Sequence, residues 1–246
     1  MPSLTLLVGL LPSALAASHL LLPPSVHLSR PVTTSSNSTL PAPTIVKGQA
    51  FDRFIQIWLE NTDFATANSS AISLLNYYAL THPSQPNYIA TAGGDFVGLP
   101  DDSSHDVPAN ISTIVDRLEA KSISWASYQE NLASNTFTGS RYAQIVNYVS
   151  YCRKHSSTVG YKSVQNMPKH LAASTLPQWL FVTPNIVNDI HNTTIDFSGS
   201  WLNYWLTPML AHANFNNNRT LVLLTFGENS SSSINKILYS SASGIF

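Results

Sequence analysis

Residues 54–61 read FIQIWLEN, a short apolar run that ends at Glu60 and Asn61. Such a run is typical of a strand buried on both faces, as in a parallel sheet covered by helices. Three more runs share this character: residues 123–128 (ISWASY), 179–182 (WLFV) and 221–226 (LVLLTF). Helical patterns at residues 112–120 and 201–212 separate them. The sequence therefore predicts an α/β fold with a mostly parallel central sheet flanked by helices.

The composition excludes several functional classes. Of 246 residues, 12 are Lys or Arg and 13 are Asp or Glu, the net charge is −1, and 43% are hydrophobic. This balance argues against a disordered chain, a nucleic-acid-binding protein or a polybasic membrane patch. The body begins near residue 49 and contains no obvious linker, so we predict one domain over residues 49–246.

The N-terminal residues indicate export. An apolar run at residues 4–11 precedes the small-residue pattern ALA at residues 14–16, which predicts a signal peptide over residues 1–17. A short membrane anchor is the competing interpretation, although the run is well below the ~20 residues that a spanning helix needs. Residues 18–48 are rich in Pro, Ser and Thr and form a predicted lead-in. We therefore expect a secreted protein, extracellular or in the cell wall.

Glycosylation sequons agree with export. The N-x-S/T pattern occurs at Asn37, Asn68, Asn110, Asn192, Asn218 and Asn229. The single Cys152 excludes an intrachain disulfide, and we interpret it as a packed residue rather than a nucleophile.

Acidic residues follow all four predicted strands. They are Glu60, Glu130, Asp189 and Glu228. Because the carboxyl ends of parallel strands meet at the edge where α/β sheets bind ligands, four acids there favour one shared site over four separate helix caps. Together with Asn61 and His191 they could hold a divalent metal, with oxygen ligands favouring Mg, Ca or Mn and the histidine admitting Zn or Fe. Glu130 is predicted to line the pocket or orient a ligand.

Residues 81–90 read THPSQPNYIA and place Ser84 at the start of a predicted helix, with Pro86 in its first turn. Free N–H groups at a helix N-terminus bind anions such as phosphate. A metal beside the hydroxyl would make Ser84 a nucleophile, and Asn87 could donate to a phosphoryl oxygen. The competing interpretation is a helix-capping serine in a turn stiffened by proline. His82 is interpreted as a structural histidine.

These segments resemble the phosphoesterase family, a branch of the alkaline-phosphatase-like superfamily that contains fungal secreted acid phosphatases and bacterial phospholipases C. The resemblance runs from about residue 45 to the end of the chain. Residues 60–64 resemble the opening Glu-Asn metal motif, and residues 81–90 the nucleophile segment. Three further segments match in order: residues 105–108 with 112–132, residues 153–155 (RKH) and residues 181–191.

The resemblance implies a secreted acid phosphatase in which Ser84 forms a phosphoseryl intermediate. Asn87 and Asn61 would bind the phosphate, and His155, or His191 if unligated, would protonate the leaving oxygen. The implied metal ligands are Glu60, Asn61, Asp189, His191 and Glu228. The expected cofactor is a divalent metal ion of open identity, and the expected partner is a small phosphate monoester. Neither a nucleic acid partner nor stable membrane insertion is expected.

Two departures from the family pattern leave alternatives open. Family members typically end the fourth strand in Phe-Asp-Glu, whereas here Gly227 stands between Phe226 and Glu228. The chain also stops at Phe246, before a segment that carries a late histidine in the family, so the sandwich is expected to be C-terminally incomplete. The alternatives are a phospholipase C-like phosphodiesterase and a catalytically inactive, truncated secreted or cell-wall glycoprotein.

Overall fold

The computed structural model of the chain describes residues 42–63, 72–73, 76–103, 105, 107–108, 110–130, 161–230, 234, 237 and 239–243. The predicted signal peptide and most of the predicted lead-in lie outside these ranges. Residues 42–48 of the lead-in contain no helix or strand, and Val46 exchanges two hydrogen bonds with the Gln178 side chain (2.9 and 2.7 Å). The domain boundary at residue 49 stays a prediction.

A seven-stranded sheet lies at the centre of the described chain, in the order β2-β7-β6-β1-β5-β3-β4. The strands are β1 (Arg53–Leu59), β2 (Ile72–Ser73), β3 (Trp125–Gln129), β4 (Tyr161–Ser163), β5 (Trp179–Thr183), β6 (Thr220–Phe226) and β7 (Tyr239–Ser243). The strands from β6 to β4 in this order are parallel, and β7 and β2 add an antiparallel edge. The predicted, mostly parallel α/β fold is confirmed.

The four predicted strands correspond to β1, β3, β5 and β6. All five residues of β3 and of β5 are buried, which explains why β5 (WLFVT) is a nearly continuous apolar run and why β3 (WASYQ) lacks exposed polar positions. The first strand, β1, lies between β6 and β5 and is parallel to both. The residues that follow these strands therefore meet at one edge of the sheet.

Two hydrophobic clusters cover the two faces of the sheet. Alternate β1 side chains such as Ile55 and Ile57 belong to one cluster, whereas Trp58 belongs to the other. Trp58 stacks on Phe181 with ring centroids 5.8 Å apart. The three strand tryptophans, Trp58, Trp125 and Trp179, are 5%, 9% and 6% exposed, which confirms that they are core residues.

The described α-helices are α1 (Ser84–Gly93), α2 (Ile114–Glu119), α3 (Met167–Ala172) and α4 (Ile195–Leu210). A capping box of Thr113 and Asp116 starts α2. Helix α4 begins six residues before the predicted start at residue 201, because Thr194 caps it by accepting from the backbone N–H of Phe197 (3.3 Å). It contains Pro208 and ends at Leu210. Of the helices described, none is both long and apolar enough to cross a bilayer.

Candidate active site

Ser84 is the first residue of α1, and its hydroxyl contacts two carboxylates. Ser84 Oγ lies 2.7 Å from Glu60 Oε2 and 2.6 Å from Glu228 Oε1. A hydroxyl has one proton, so it can donate fully to only one of these oxygens. The second carboxylate oxygen therefore needs a proton of its own or a shared cation.

The pairing of β1 with β6 brings the two glutamates together. The strands are in register to their last residues, Leu59 opposite Phe226, and the Gly227 N–H donates to Leu59 O (2.8 Å). Glu60 follows Leu59 directly and Glu228 follows Phe226 after Gly227, so both side chains reach the same point. A Cβ atom at Gly227 would lie 3.1 Å from Glu60 Oε1, and any side chain at this position would therefore face the Glu60 carboxylate.

Burial makes these carboxylates costly to ionise. Glu60, Asp189 and Glu228 are 2%, 0% and 4% exposed. Burial, followed by the charge of Asp189, raises the pKa of Glu60 to about 8. Burial also raises the pKa of Asp189 to about 7, and it raises that of Glu228 against the opposing hydrogen bond from Ser84. A positive charge at this point would favour the ionised forms.

Asn61 places a third polar group between the glutamates. It has a φ of 41°, a left-handed conformation that Asn tolerates better than most residues. With its amide nitrogen towards the acids, it donates to Glu60 Oε2 (2.9 Å) and Glu228 Oε1 (3.1 Å). In the opposite orientation the nitrogen lies 3.3 Å from His191 Nδ1, and the carbonyl oxygen faces the two carboxylates. The first orientation suits the site without a cation, and the second offers a cation a third oxygen.

Asp189 and His191 lie on a strained turn beside Glu60. Between them Ile190 has a φ of 92°, which is unfavourable for a β-branched residue and is typical of functional sites. The Glu60 N–H donates to Asp189 O (2.7 Å), and Asp189 Oδ1 accepts from the His191 N–H (2.9 Å). Asp189 Oδ2 is buried and has no hydrogen-bond partner among the described residues. His191 is exposed.

Glu130 anchors this turn. It is 5% exposed, and its carboxylate accepts from the Asn185 N–H (2.9 Å) and from Asn188 Nδ2 (2.8 and 2.9 Å). The sequence predicted that Glu130 lines the pocket or orients a ligand. In the structure it binds the chain just before Asp189 and holds that segment against the end of β3.

We expect Glu130→Ala to destabilise the protein, because it leaves the buried Asn188 side-chain nitrogen and the partly buried Asn185 N–H without their acceptor. Unsatisfied buried groups cost about 1–3 kcal/mol each, so the free energy of unfolding should fall by about 2 kcal/mol or more. Urea denaturation measures this change. Glu119→Ala is the matched control, since Glu119 lies on α2 and accepts a hydrogen bond from Trp125 Nε1 (3.1 Å). Equal unfolding free energies for both variants would contradict the anchoring role.

The Asn87 side chain is bound to the backbone of the preceding turn, whereas the sequence predicted a contact with phosphate. It is 4% exposed, and its side-chain oxygen accepts from the N–H groups of Leu80 (3.0 Å) and Thr81 (3.2 Å). Its side-chain nitrogen donates to Thr81 O (2.7 Å) and Pro83 O (3.4 Å). In this arrangement Asn87 holds the turn before Ser84, and a phosphate contact would require one of these bonds to open.

The predicted anion site at the start of α1 is also partly filled. The Gln85 N–H donates to Asp102 Oδ1 (2.8 Å), and Pro86 has no N–H to offer. Neither group is therefore available to a phosphate in this arrangement. Ser84 itself is at the helix start, as the sequence predicted.

His82, two residues before Ser84, contacts the same cluster. Its Nδ1 lies 2.6 Å from Glu228 Oε2, and its side chain is 40% exposed. Sequence reasoning missed this contact and the contacts of Asn188. For both residues the available signal was adjacency, since each lies within two positions of a predicted site residue.

The cluster opens into a cavity of about 300 Å³, which falls at the lower end of the range for small-ligand sites. Its walls include Glu60, Ser84, Asp189 and His191. Among the described residues, no three side chains of His, Cys, Asp or Glu are close enough together to form a metal-binding cluster by themselves. A cation would therefore depend on Glu60 and Glu228 supplemented by the Asn61 amide and the Ser84 hydroxyl.

The predicted site and glycosylation residues outside the cavity fall into three groups. His155, Cys152, Asn37 and Asn68 lie outside the described residues. Three other sequon residues, Asn110, Asn192 and Asn218, are exposed. Asn229 is 4% exposed, and its side-chain nitrogen donates to Ile234 O (2.7 Å), so a glycan there would have to break this bond.

The fold and site define a class of protein: an α/β sandwich with a serine hydroxyl bound by two buried carboxylates at the carboxyl edge of its parallel strands. Residues 56–232 match the model of the phosphoesterase family, and the chain belongs to that family.

Curated relatives extend the comparison. The chain is 43% identical over 216 residues to an acid phosphatase of Aspergillus fumigatus, covering 78% of this chain and 48% of the relative. It is 42% identical over 218 residues to a probable acid phosphatase of Kluyveromyces lactis (79% and 52%). It is 30% identical over 172 residues to a phosphatidylinositol-3-phosphatase of Mycobacterium tuberculosis (65% and 54%). The chain thus spans about half the length of the curated relatives it matches.

Proposed function

We propose that this protein is a secreted acid phosphatase that hydrolyses small phosphate monoesters with Ser84 as its nucleophile. The observation that carries the proposal is the Ser84 hydroxyl, 2.7 Å from Glu60 Oε2 and 2.6 Å from Glu228 Oε1. A serine with an adjacent base, at the end of a helix and facing a cavity, is suited to nucleophilic catalysis. Relatives named acid phosphatase support the substrate class.

The proposed reaction proceeds in two displacements. Ser84 Oγ attacks the phosphorus and gives its proton to Glu60 or Glu228, while the bond from phosphorus to the alcohol oxygen breaks. His191 or His155 protonates that oxygen. Water then attacks the phosphoserine, the bond from phosphorus to Oγ breaks, and Ser84 regains its proton. The carboxylate that accepts the serine proton must be ionised, and because burial raises the pKa of both glutamates, positive charge in the site is needed to favour that form near pH 5.

A divalent cation fits the oxygen atoms around Ser84. Glu60 Oε2, Glu228 Oε1 and the Asn61 carbonyl would hold it, with Asp189 and His191 on the same cavity wall. When bound, such a cation would lower the pKa of the serine hydroxyl and neutralise charge on the phosphoryl oxygens. The unpartnered Asp189 Oδ2 supports the need for positive charge nearby. Oxygen ligands favour Mg, Ca or Mn.

Export is proposed from the predicted signal peptide and the sequons. Asn110, Asn192 and Asn218 are exposed and therefore accessible to a glycosyltransferase. We propose an extracellular or cell-wall location with glycans at these three residues. Mass spectrometry of peptides from protein secreted by a eukaryotic host would test each position.

Gly227 favours a second candidate, a catalytically inactive secreted glycoprotein. A side chain at this position would face Glu60 Oε1, and glycine supplies no ligand there. A scaffold of this kind would keep the buried glutamates but would neither bind a cation nor turn over a phosphate ester.

An assay of the purified chain separates these functions. After treatment with a chelator, the protein is supplied with Mg, Ca, Mn or Zn and tested near pH 5 on p-nitrophenyl phosphate and on its phosphocholine ester. We expect hydrolysis of the monoester, loss of activity on chelation and recovery with one of the metals. Faster hydrolysis of the diester would favour the phosphodiesterase. No bound metal and no turnover would support the catalytically inactive glycoprotein.

A further inference from the structure

His82 contributes a second, independent contact to the carboxylate that binds Ser84. Glu228 uses Oε1 to accept from Ser84 Oγ (2.6 Å), and its other oxygen, Oε2, lies 2.6 Å from His82 Nδ1. The contact is a short nitrogen–oxygen approach at ion-pair distance, and Glu228 Oε2 has no hydrogen bond of standard geometry among the described residues. Both the neutral Nδ1–H tautomer and the protonated ring can present a proton to this oxygen. The contact therefore does not require a particular charge on His82.

Contacts at both oxygens restrict the orientation of the Glu228 carboxylate more than a contact at one oxygen does. A carboxylate held only at Oε1 can still turn about the bond to its side chain, because terminal torsions of this kind are broad. The short contact of His82 Nδ1 with Oε2 restricts that freedom and constrains the plane of the Glu228 carboxylate. The oxygen that faces Ser84 is then held at a defined distance and angle, which hydrogen bonds and proton transfer both require.

The turn that carries His82 is itself held in place. Asn87 is buried and binds Leu80 and Thr81 on one side of His82 and Pro83 on the other. The His82 ring is 40% exposed, so it contributes little to the core, and its described polar contact is the one to Glu228. A rigid turn that presents an exposed ring to a buried catalytic carboxylate is an arrangement for positioning rather than for packing.

We propose that His82 is a positioning residue for phosphoryl transfer: its Nδ1–H holds Glu228 so that Oε1 faces the Ser84 hydroxyl. The proposal rests on the proposed function, because it assumes that Ser84 is the nucleophile. It extends that function by assigning a role to a residue outside the groups that touch the substrate.

Two substitutions test the proposal. His82→Ala removes the donor, whereas in His82→Asn the amide nitrogen takes the place of Nδ1 and keeps it. Hydrogen bonds to charged groups contribute about 1.5–3 kcal/mol, so kcat on p-nitrophenyl phosphate should fall about 10- to 100-fold in the alanine variant. KM should change little, since His82 does not touch the ester, and the asparagine variant should recover most of kcat. His212→Ala is the control, because the His212 ring accepts from the Asn214 N–H (3.2 Å) in a turn outside the site.

Nuclear magnetic resonance supplies a readout that does not depend on turnover. The Nδ1 proton of His82 should give a downfield signal in the wild-type protein and lose it in Glu228→Ala, with circular dichroism unchanged. An alanine variant with wild-type kcat, or an asparagine variant as impaired as the alanine variant, would overturn the proposal while the phosphatase function stands. Absence of turnover in the wild-type protein would overturn the proposed function itself, and the role of His82 with it.

Discussion

Replacing Ser84 with alanine is expected to abolish hydrolysis of p-nitrophenyl phosphate and to leave the protein folded. Removing a catalytic nucleophile lowers kcat by about 1,000-fold or more, because alanine has no oxygen to attack the phosphorus and the carboxylates have no hydroxyl to activate. The substitution removes one oxygen and its hydrogen bonds, so stability should change by only about 1 kcal/mol. Initial rates near pH 5, with circular dichroism and thermal denaturation, measure both effects.

Ser200→Ala is the matched control for this prediction. Ser200 lies on α4, and its hydroxyl donates to Asp196 O (2.9 Å), so the variant loses the same group outside the site. Phosphorylated peptide containing Ser84 should be recoverable from acid-quenched wild-type protein and absent from Ser84→Ala. Activity above about a tenth of wild type in Ser84→Ala would exclude Ser84 as the nucleophile and would move the reaction to another residue.

The central strands were predictable from the sequence because burial on both faces makes most of their positions apolar. Residues 54–59 and 221–226 read as largely apolar runs with one polar residue each, Gln56 and Thr225, and both lie within strands of the structure. The edge of the sheet was not predictable in this way. The sequence of strand β7 is YSSAS, and strand β2 has only two residues, Ile72–Ser73. Neither strand contains an apolar run. Strand β7 pairs with the edge that β6 provides and β2 pairs with β7, and no local sequence pattern encodes this pairing.

The site was predictable where it follows from topology and not where it depends on turn geometry. Glu60 and Glu228 converge because parallel strands share an edge, and the sequence is enough to infer this. The bonds of Asn87 to the turn before Ser84, and of Asp102 to the Gln85 N–H, depend on how a loop returns to the helix start. The same turn decides that His82 contacts Glu228. Spacing along the chain does not determine such contacts, because several polar side chains could pair with the same donor and only the turn geometry decides between them.

Replacing Glu60 with glutamine is expected to remove activity and, at the same time, to stabilise the metal-free protein at neutral and alkaline pH. The substitution keeps the shape of the side chain and removes its charge. Glu60 Oε2 lies 2.7 Å from Ser84 Oγ and Glu60 is a proposed cation ligand, so kcat should fall about 100-fold or more. The stabilisation follows from burial: a carboxylate that is 2% exposed and next to Asp189 is costly to ionise.

The pH dependence of this stabilisation has a defined sign. The pKa of Glu60 is about 8 in the folded protein and has an ordinary value of 4.5, so between these pH values the folded state holds a proton that the unfolded state has released. The stability of the metal-free wild-type protein therefore falls as the pH rises from 5 to 8. Glutamine does not titrate, so the melting temperature of Glu60→Gln should exceed that of the wild type by an amount that grows over this range.

Thermal denaturation in a chelator at pH 5, 6, 7 and 8 measures the difference, and contributions of other titrating groups common to both proteins largely cancel. Glu119→Gln is the control, since this residue lies on α2 with Trp125 as its partner and should shift stability equally at each pH. A difference for Glu60→Gln that stays constant or shrinks from pH 5 to 8 would mean that Glu60 is already ionised without strain. Saturation with the activating metal should reverse the order, because the cation stabilises the wild-type carboxylate and finds no charge at position 60 in the variant.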